Sequence, residues 1–444
     1  MGLKTIARAV ALLIAAVCVV WIYAKPTRSE RKYPKRIPVR FWHMWSAEWK
    51  DVVDDIVDHY NRSQDKYEVI ALSVPGGADT KFILGAMGGD PPDVMAQWNA
   101  VIPTWAESNM LTPFEDLMSP SEREKYERES YPIVKRVGQY KGKTYGFPIG
   151  LQVKGVFYLP KAFEEAGIKE FPKTWEELTA DGEKLTQRDA KGNITRLGFL
   201  AGGWAETAPV FGGGLYDFKR DRLDLSDPKN LECLQDLVAL RKRDGYDQVE
   251  RFESGLNTGS YGGGWPFISG AYAAAVDGPW RVQQIAKYAP NLDYATALIP
   301  PPAGGVAGAG LGSGNFMIIP RSAKEKEGAW DFVKYWSGLT DPVTAAQFYV
   351  NGGWLPPSDA VANAPIYKEY IREHPQFGTF VRAISSPNIQ AKPPVAYQQF
   401  ISDTADKLDD EALRGEITPS NAVAELQSSV DKEIARRKRL GYDE

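Results

Sequence analysis

Along most of this chain the apolar positions recur with one of two periods. In "RIPVRFW" Ile37, Val39 and Phe41 alternate with other residues, the period of a strand with one buried face. In "AEWKDVVDDIVDHY" Trp49, Val52, Val53, Ile56, Val57 and Tyr60 keep the helical period throughout. "YEVIALSVP" predicts a strand, "TKFILGAMGG" a short helix and "PPDVMAQW" another strand. Thr174 stands three residues before Glu177, a capping box that opens a helix. "QRDAKGNITRLGF" reads as a helix end, a turn at Lys191-Gly192-Asn193 and a strand. Ala329, Phe332, Val333 and Trp336 make one helical stripe, and the C-terminal hundred residues are helical in pattern. Pro/Gly-rich loops fall at 259–266, 300–314 and 351–357, and no internal repeat is visible. Strand and helix signals that alternate from the start predict α/β layering with mostly parallel strands.

Length and charge refine that picture. A chain of 444 residues is too long for one ordinary core and suits two or three domains. The first 36 residues stand apart. Of 53 basic and 57 acidic side chains in the whole chain, eight and one lie there, leaving 45 and 56, a body charge of about −11. An acidic body argues against a nucleic-acid partner. Between Arg8 and Lys25 runs "AVALLIAAVCVVWIYA", without a charge, so residues 1–24 read as a signal peptide or signal anchor and 25–36 as a basic linker. Six basic residues follow this run and two precede it, which by the positive-inside rule would hold the body back. Cys233 is the body's single cysteine, so no disulfide forms there, and its helical context predicts a buried apolar residue.

Candidate chemistry is sparse. His43, His59 and His374 lie far apart, no Cys/His cluster has metal-ligand spacing, and neither metal nor cofactor is implied. Gly308, Gly310, Gly312 and Gly314 do not fit a dinucleotide loop, because "NFMIIP" after them reads as a strand where a phosphate cradle needs a helix. A flexible or close-packed segment explains them. Glu48, Asp277 and Glu206 lie near aromatic residues, so a hydrolase with paired carboxylates is a rival reading, although 57 acids make such proximity common.

The 13 tryptophans carry the strongest signal. Trp49, Trp105, Trp175, Trp330 and Trp336 belong to helical segments, Trp42 to the first strand and Trp21 to the apolar N-terminal run. Six remain: Trp45, Trp98, Trp204, Trp265, Trp280 and Trp354, each past a strand signal or in a Gly/Pro-rich loop. Ligands of open α/β sheets bind outside the carboxyl ends of the strands. Flat indoles there suit the C–H faces of sugar rings, with Glu48, Gln97, Asn99, Gln152 and Asn315 as partners for hydroxyls.

Five stretches, in order, resemble one family. They are "GDPPDVMAQW" (89–98), "YKGKTYGFPIGLQVKGVFYLPKAFEEAGIKEFPKTWEEL" (140–178), "ISGAYAAAVDGPWRV" (268–282), "GNFMIIPRSAKEKEGAWDFVKYWSG" (314–338) and "LRGEITPSNAVAEL" (413–426). The chain is similar to the extracellular solute-binding proteins of family 1, the maltose-binding-protein-like receptors of ABC importers. The resemblance implies an α/β, two-lobed periplasmic-binding-protein fold of type II, with the ligand cleft between lobes joined by hinge crossings. By that pattern 37–149 plus 302–338 form the first lobe and 150–301 plus 339–436 the second. The family places ligand contacts at positions matched here by Trp45, Ser46, Gln97, Trp98, Asn99, Gln152, Trp204 and the Gly278-Pro279-Trp280 corner. It also implies an exported monomer that binds a carbohydrate and docks on permease subunits at the membrane. Gln152 is neutral where maltodextrin binders carry an acid, which speaks against maltose itself. A sensor for a membrane kinase and a receptor for a polyol or glycerol phosphate remain rival expectations.

Overall fold

The computed structural model describes residues 31–256 and 264–442. The expected signal segment 1–24, the first part of the linker and most of the 259–266 loop lie outside the described residues. Among the described residues, no helix is long and apolar enough to cross a membrane.

Ten strands build two five-stranded sheets. In chain order they are β1 (Ile37–His43), β2 (Tyr67–Ser73), β3 (Val94–Trp98), β4 (Phe147–Gln152), β5 (Gly155–Tyr158), β6 (Gln187–Arg188), β7 (Ile194–Leu200), β8 (Tyr272–Asp277), β9 (Ala295–Ala297) and β10 (Ser313–Ile318). The first sheet has the order β2-β1-β3-β10-β4, the second β9-β5-β8-β7-β6. Val39 and Phe41 point into the first core, as the alternation predicts, and so does His43, whereas Ile37 at the start of the strand is exposed. β1 pairs with β2 in parallel with Val39 opposite Val69. Val53, Ile56, Val57 and Tyr60 of helix Ala47–Ser63 are buried. The stripe Ala329, Phe332, Val333 and Trp336 is buried along helix Lys326–Ser337. Both halves of the Thr174–Glu177 capping box are formed. Cys233 is a free, buried thiol, and burial pushes its pKa up.

The strands are mixed rather than mostly parallel. Only β1–β2, β1–β3 and β7–β8 pair in parallel, whereas β10 runs antiparallel to both β3 and β4. The cause is the route of the chain. β10 arrives from the second sheet, so it enters the first at the end where β3 and β4 leave, with Ser313 opposite Gln152 and Asn315 opposite Trp98.

Three passages join the sheets: 153–154, the stretch between β9 and β10, and the return from helix Pro342–Gly352 to helix Gln398–Leu413. That return runs through helix Pro375–Ile384, packed on β9, and the stretch after it. The second and third run side by side, Gly310–Leu311 pairing with Ile389–Gln390. The glycines here serve close packing. A Cβ on Gly312 would stand 2.6 Å from Ile133 Cγ1, and one on Gly314 would run into the Gly150 carbonyl of β4.

Two boundaries differ from expectation. Residues 31–36 are not free linker. Arg31 Nε lies 2.7 Å from the Glu68 carboxylate, the Tyr33 N–H donates to Glu68 at 2.9 Å, and Arg36 stacks on the Tyr33 ring at 3.9 Å. The segment 339–436 does not belong wholly with the second sheet. Helix Pro342–Gly352 packs on helices Ala47–Ser63 and Lys326–Ser337 of the first, because its apolar face (Ala345, Phe348, Tyr349) completes that core. The Tyr349 hydroxyl donates to the Pro148 carbonyl at 3.1 Å. Helices Gln398–Leu413 and Pro419–Arg439 do pack on second-sheet helices.

Candidate functional site

A cavity of about 870 Å³ opens between the lobes, at the strand ends where the passages cross. Five of the expected residues line it: Gln97, Trp98, Asn99, Gln152 and Trp280. On the first lobe β3 ends in Trp98, and a single 3-10 turn begins at Asn99. Gln97 is buried and already engaged. Its amide donates to Asp79, and its carbonyl oxygen accepts from the Trp98 N–H at 2.8 Å. The Asn99 side chain accepts from the Gly314 N–H at 3.1 Å, tying the turn to β10. These two residues brace the strand end and leave the Trp98 indole outward, 44% exposed. Gln152 ends β4 on the same rim.

On the second lobe β8 ends at Asp277, and Trp280 opens helix Trp280–Tyr288. The Asp277 carboxylate accepts from the Gly278 N–H at 2.7 Å and from Arg281 Nε at 2.7 Å. A Cβ at position 278 would collide with the six-membered ring of Trp280, so glycine is what lets the indole lie against the corner. Asp277 therefore fastens a turn and pairs with an arginine inside the wall.

The other expected residues are elsewhere. Trp204 is 1% exposed, and its Nε1 donates to the Asn230 carbonyl at 2.8 Å within the second core. Trp265 is buried against Phe157 and Phe267, with the Arg281 guanidinium 4.6 Å from its ring centre. Trp354 and the half-buried Trp45 form an aromatic cluster with Trp336. Asn315 is buried within β10, and exposed Ser46 precedes helix Ala47–Ser63 outside the cavity without a side-chain capping bond. None of these six lines the cavity. Trp204, Trp265 and Trp354 are packing residues because segments distant in the chain cover them: Asn230 and Asp409 hold Trp204, Phe157 packs on Trp265, and Trp45 and Gly150 lie against Trp354.

Several lining groups escaped the sequence reading: Asp79, Lys154, Lys392, Ser402 and Asp406, while Glu206 was noticed only for its aromatic neighbours. Lys154 and Lys392 belong to passages between the lobes, and a passage has no hydrophobic period to reveal it. Asp406 looks like any polar helical position, yet burial raises its pKa. Glu206 reaches the cavity because Trp204 is rooted in the core two residues earlier. Asp409, behind it, accepts from the Trp204 N–H at 2.9 Å and caps helix Trp204–Phe211. Burial pushes the Asp409 pKa up to about 6. Among the described residues, no group of three or more His, Cys, Asp or Glu is placed to hold a metal ion.

Two α/β lobes, three linking passages and a polar cleft carrying one accessible indole from each side define a hinged ligand receptor. The chain belongs to the bacterial extracellular solute-binding proteins, whose sequence profile it matches over residues 55–376. It is 30% identical over 237 residues to a binding protein of Brucella abortus, a match spanning 51% of this chain and about half, 54%, of that relative's length. It is 21% identical over 382 residues to the sn-glycerol-3-phosphate-binding periplasmic protein UgpB of Escherichia coli, covering 81% of this chain and 82% of that one. Among solved structures, CpMnBP1 with mannotriose bound superposes with a TM-score of 0.75 at 25% identity, covering 89% of this chain and all of that one (100%). The sugar-binding protein MalE of Xanthomonas citri shares the fold, with a TM-score of 0.74, 22% identity and coverage of 92% and 100%.

Proposed function

We propose that this chain is the substrate-binding protein of an ABC-type importer, capturing a mono- or oligosaccharide between its lobes and delivering it to a membrane permease. The observation that carries this reading is the pairing of Trp98 and Trp280, contributed by opposite lobes to one cavity with amide and charged neighbours. Indoles offer flat apolar faces to sugar C–H groups, and the surrounding side chains pair with hydroxyls. Ligand that touches both indoles favours the closed arrangement through contacts available only there. The likeness to a mannotriose-bound protein supports the same class of ligand. The reading is of a binding protein and not an enzyme, exported by its N-terminal segment, which is either cleaved or kept as an anchor. Its contact residues are Trp98, Gln152 and Trp280, with Gln97 and Asn99 holding the rim.

The test is a thermal-shift screen of the purified body against mono- and oligosaccharides, since a ligand that binds only the folded state raises apparent stability. Trp280→Ala is expected to weaken binding of the active sugar by roughly ten- to a hundredfold while the protein stays folded. Hydrolysis of the sugar during incubation would instead favour the carboxylate-hydrolase reading. The UgpB likeness makes sn-glycerol 3-phosphate a second candidate ligand, so it belongs in the panel.

A further inference from the structure

Lys154 is half of the first passage between lobes. Its neighbour Gly155 is already paired with Asp277 at the end of β8, so the lysine side chain emerges beside the Trp280 corner and lines the cavity. Its Nζ stands 5.2 Å from the Trp280 ring centre, 3.9 Å from Asp277 Oδ1 and 4.0 Å from Glu206 Oε1. None of these is hydrogen-bond distance.

The charges around it divide into two pairs. Asp277 is closed off, since Oδ1 accepts from the Gly278 N–H and Oδ2 from Arg281 Nε, both at 2.7 Å. Lys154 and Glu206 are the open pair. Both face the cavity, with side chains 30% and 39% exposed, and they approach each other without forming a hydrogen bond. An ammonium has three donors and no acceptor, and a carboxylate only acceptors. The gap between them matches a group that both donates and accepts. A hydroxyl does this, and neighbouring hydroxyls on a ring do it while the ring's C–H face rests on Trp280. A phosphate is a poorer match. It gains Lys154 but brings its charge toward Glu206, and like charges at such range repel.

We propose that Lys154 and Glu206 determine ligand class, taking adjacent hydroxyls of a neutral sugar ring stacked on Trp280 and disfavouring phosphorylated ligands. This inference rests on the sugar-binding reading. Neither residue is in the contact set expected from the sequence, and neither is needed to form the corner, which Asp277 and Arg281 complete.

The experiment is calorimetric titration of the wild type, Lys154→Met, Lys154→Arg, Glu206→Gln and the double variant Lys154→Met/Glu206→Gln. The probes are mannobiose, mannotriose, maltotetraose and sn-glycerol 3-phosphate, and thermal melts confirm that each variant folds. The wild type should bind at least one neutral sugar and bind the phosphate more weakly. Lys154→Met and Glu206→Gln should each weaken that sugar by at least about tenfold, as expected for lost hydrogen bonds to charged groups. The double variant should be little worse than the poorer single one, and Lys154→Arg should recover part of the loss. Removing the Glu206 charge should narrow the preference against the phosphate. A wild type that binds sugar with Lys154→Met equally tight overturns the inference and leaves the sugar-binding reading intact. Tight glycerol-phosphate binding lost in Lys154→Met reverses the assignment of class. A wild type that binds no probe overturns the underlying reading and this inference with it.

Discussion

Two buried titratable side chains pull stability in opposite directions with pH. His43 lies in the first core between Phe41 and Trp45 with neither ring nitrogen hydrogen-bonded, and burial lowers its pKa to about 4. In the unfolded chain it takes up its proton near its ordinary value of 6.5, so acidification from there toward pH 4 protonates the unfolded state first and lowers stability. Asp409 has the reverse sign. Its folded pKa, about 6, lies above the ordinary value of 3.8, so its contribution is fully present below the lower value and is lost as pH rises through the higher one. Between about pH 4 and 6 the two slopes oppose each other. Asp409→Asn keeps an oxygen for the Trp204 N–H and removes the buried charge. It should stabilise the protein at pH 7 by roughly 1–3 kcal/mol and make it more acid-sensitive than the wild type. Thermal melts from pH 4 to 8 check both, and an unchanged pH profile would show that Asp409 is not titrating in this window.

Whole elements were readable where local chemistry dictates them. The helix beginning at Trp175 is announced by Thr174 and Glu177, and both capping bonds form, Thr174 Oγ1 accepting from the Glu177 N–H at 3.1 Å. Thr174→Ala should cost about 1 kcal/mol, read as a lower urea midpoint with no change in ligand affinity, because this helix does not line the cleft. A loss of affinity would show that the helix positions the site after all. The direction of β10 was not readable in the same way. Its alternation establishes a strand, but whether it runs with or against its neighbours depends on which lobe the chain comes from. The same limit applies to helix Pro342–Gly352, whose apolar stripe is clear while its partner, helix Ala47–Ser63, is some three hundred positions away in the chain.

At the scale of the molecule, the lobes touch on both sides of the third passage. On the side away from the candidate site lies a larger hollow of about 1010 Å³, lined by side chains of both lobes. There Arg437 of the last helix forms an ion pair with Glu107 of the first lobe, and the Tyr140 hydroxyl donates to the same carboxylate at 3.0 Å. The pair is largely buried, with side chains 11% and 14% exposed, so removing one partner leaves a poorly solvated charge. Arg437→Met should lower stability by about 1–3 kcal/mol in urea unfolding. An unchanged midpoint would mean that the terminal helix does not hold the lobes together. The larger hollow is not where the accessible indoles converge, which is why the smaller cleft is the candidate site.

The sequence by itself determined the α/β layering, five of the ten sheet strands, several of the helices, the acidic body and the presence of surplus tryptophans beside strand ends. Family resemblance added two lobes and a cleft. Tertiary structure decided which tryptophans reach that cleft. Trp98 and Trp204 both follow strand signals, but Gln97 and Asn99 brace the first outward, whereas Asn230, in a helix that begins 24 residues beyond Trp204, draws the second into a core. It also brought Lys154 and Glu206 together from different elements. Periodicity records which face of an element is apolar. It does not record what later covers that face, and burial of an indole or the approach of two charges depends on that covering.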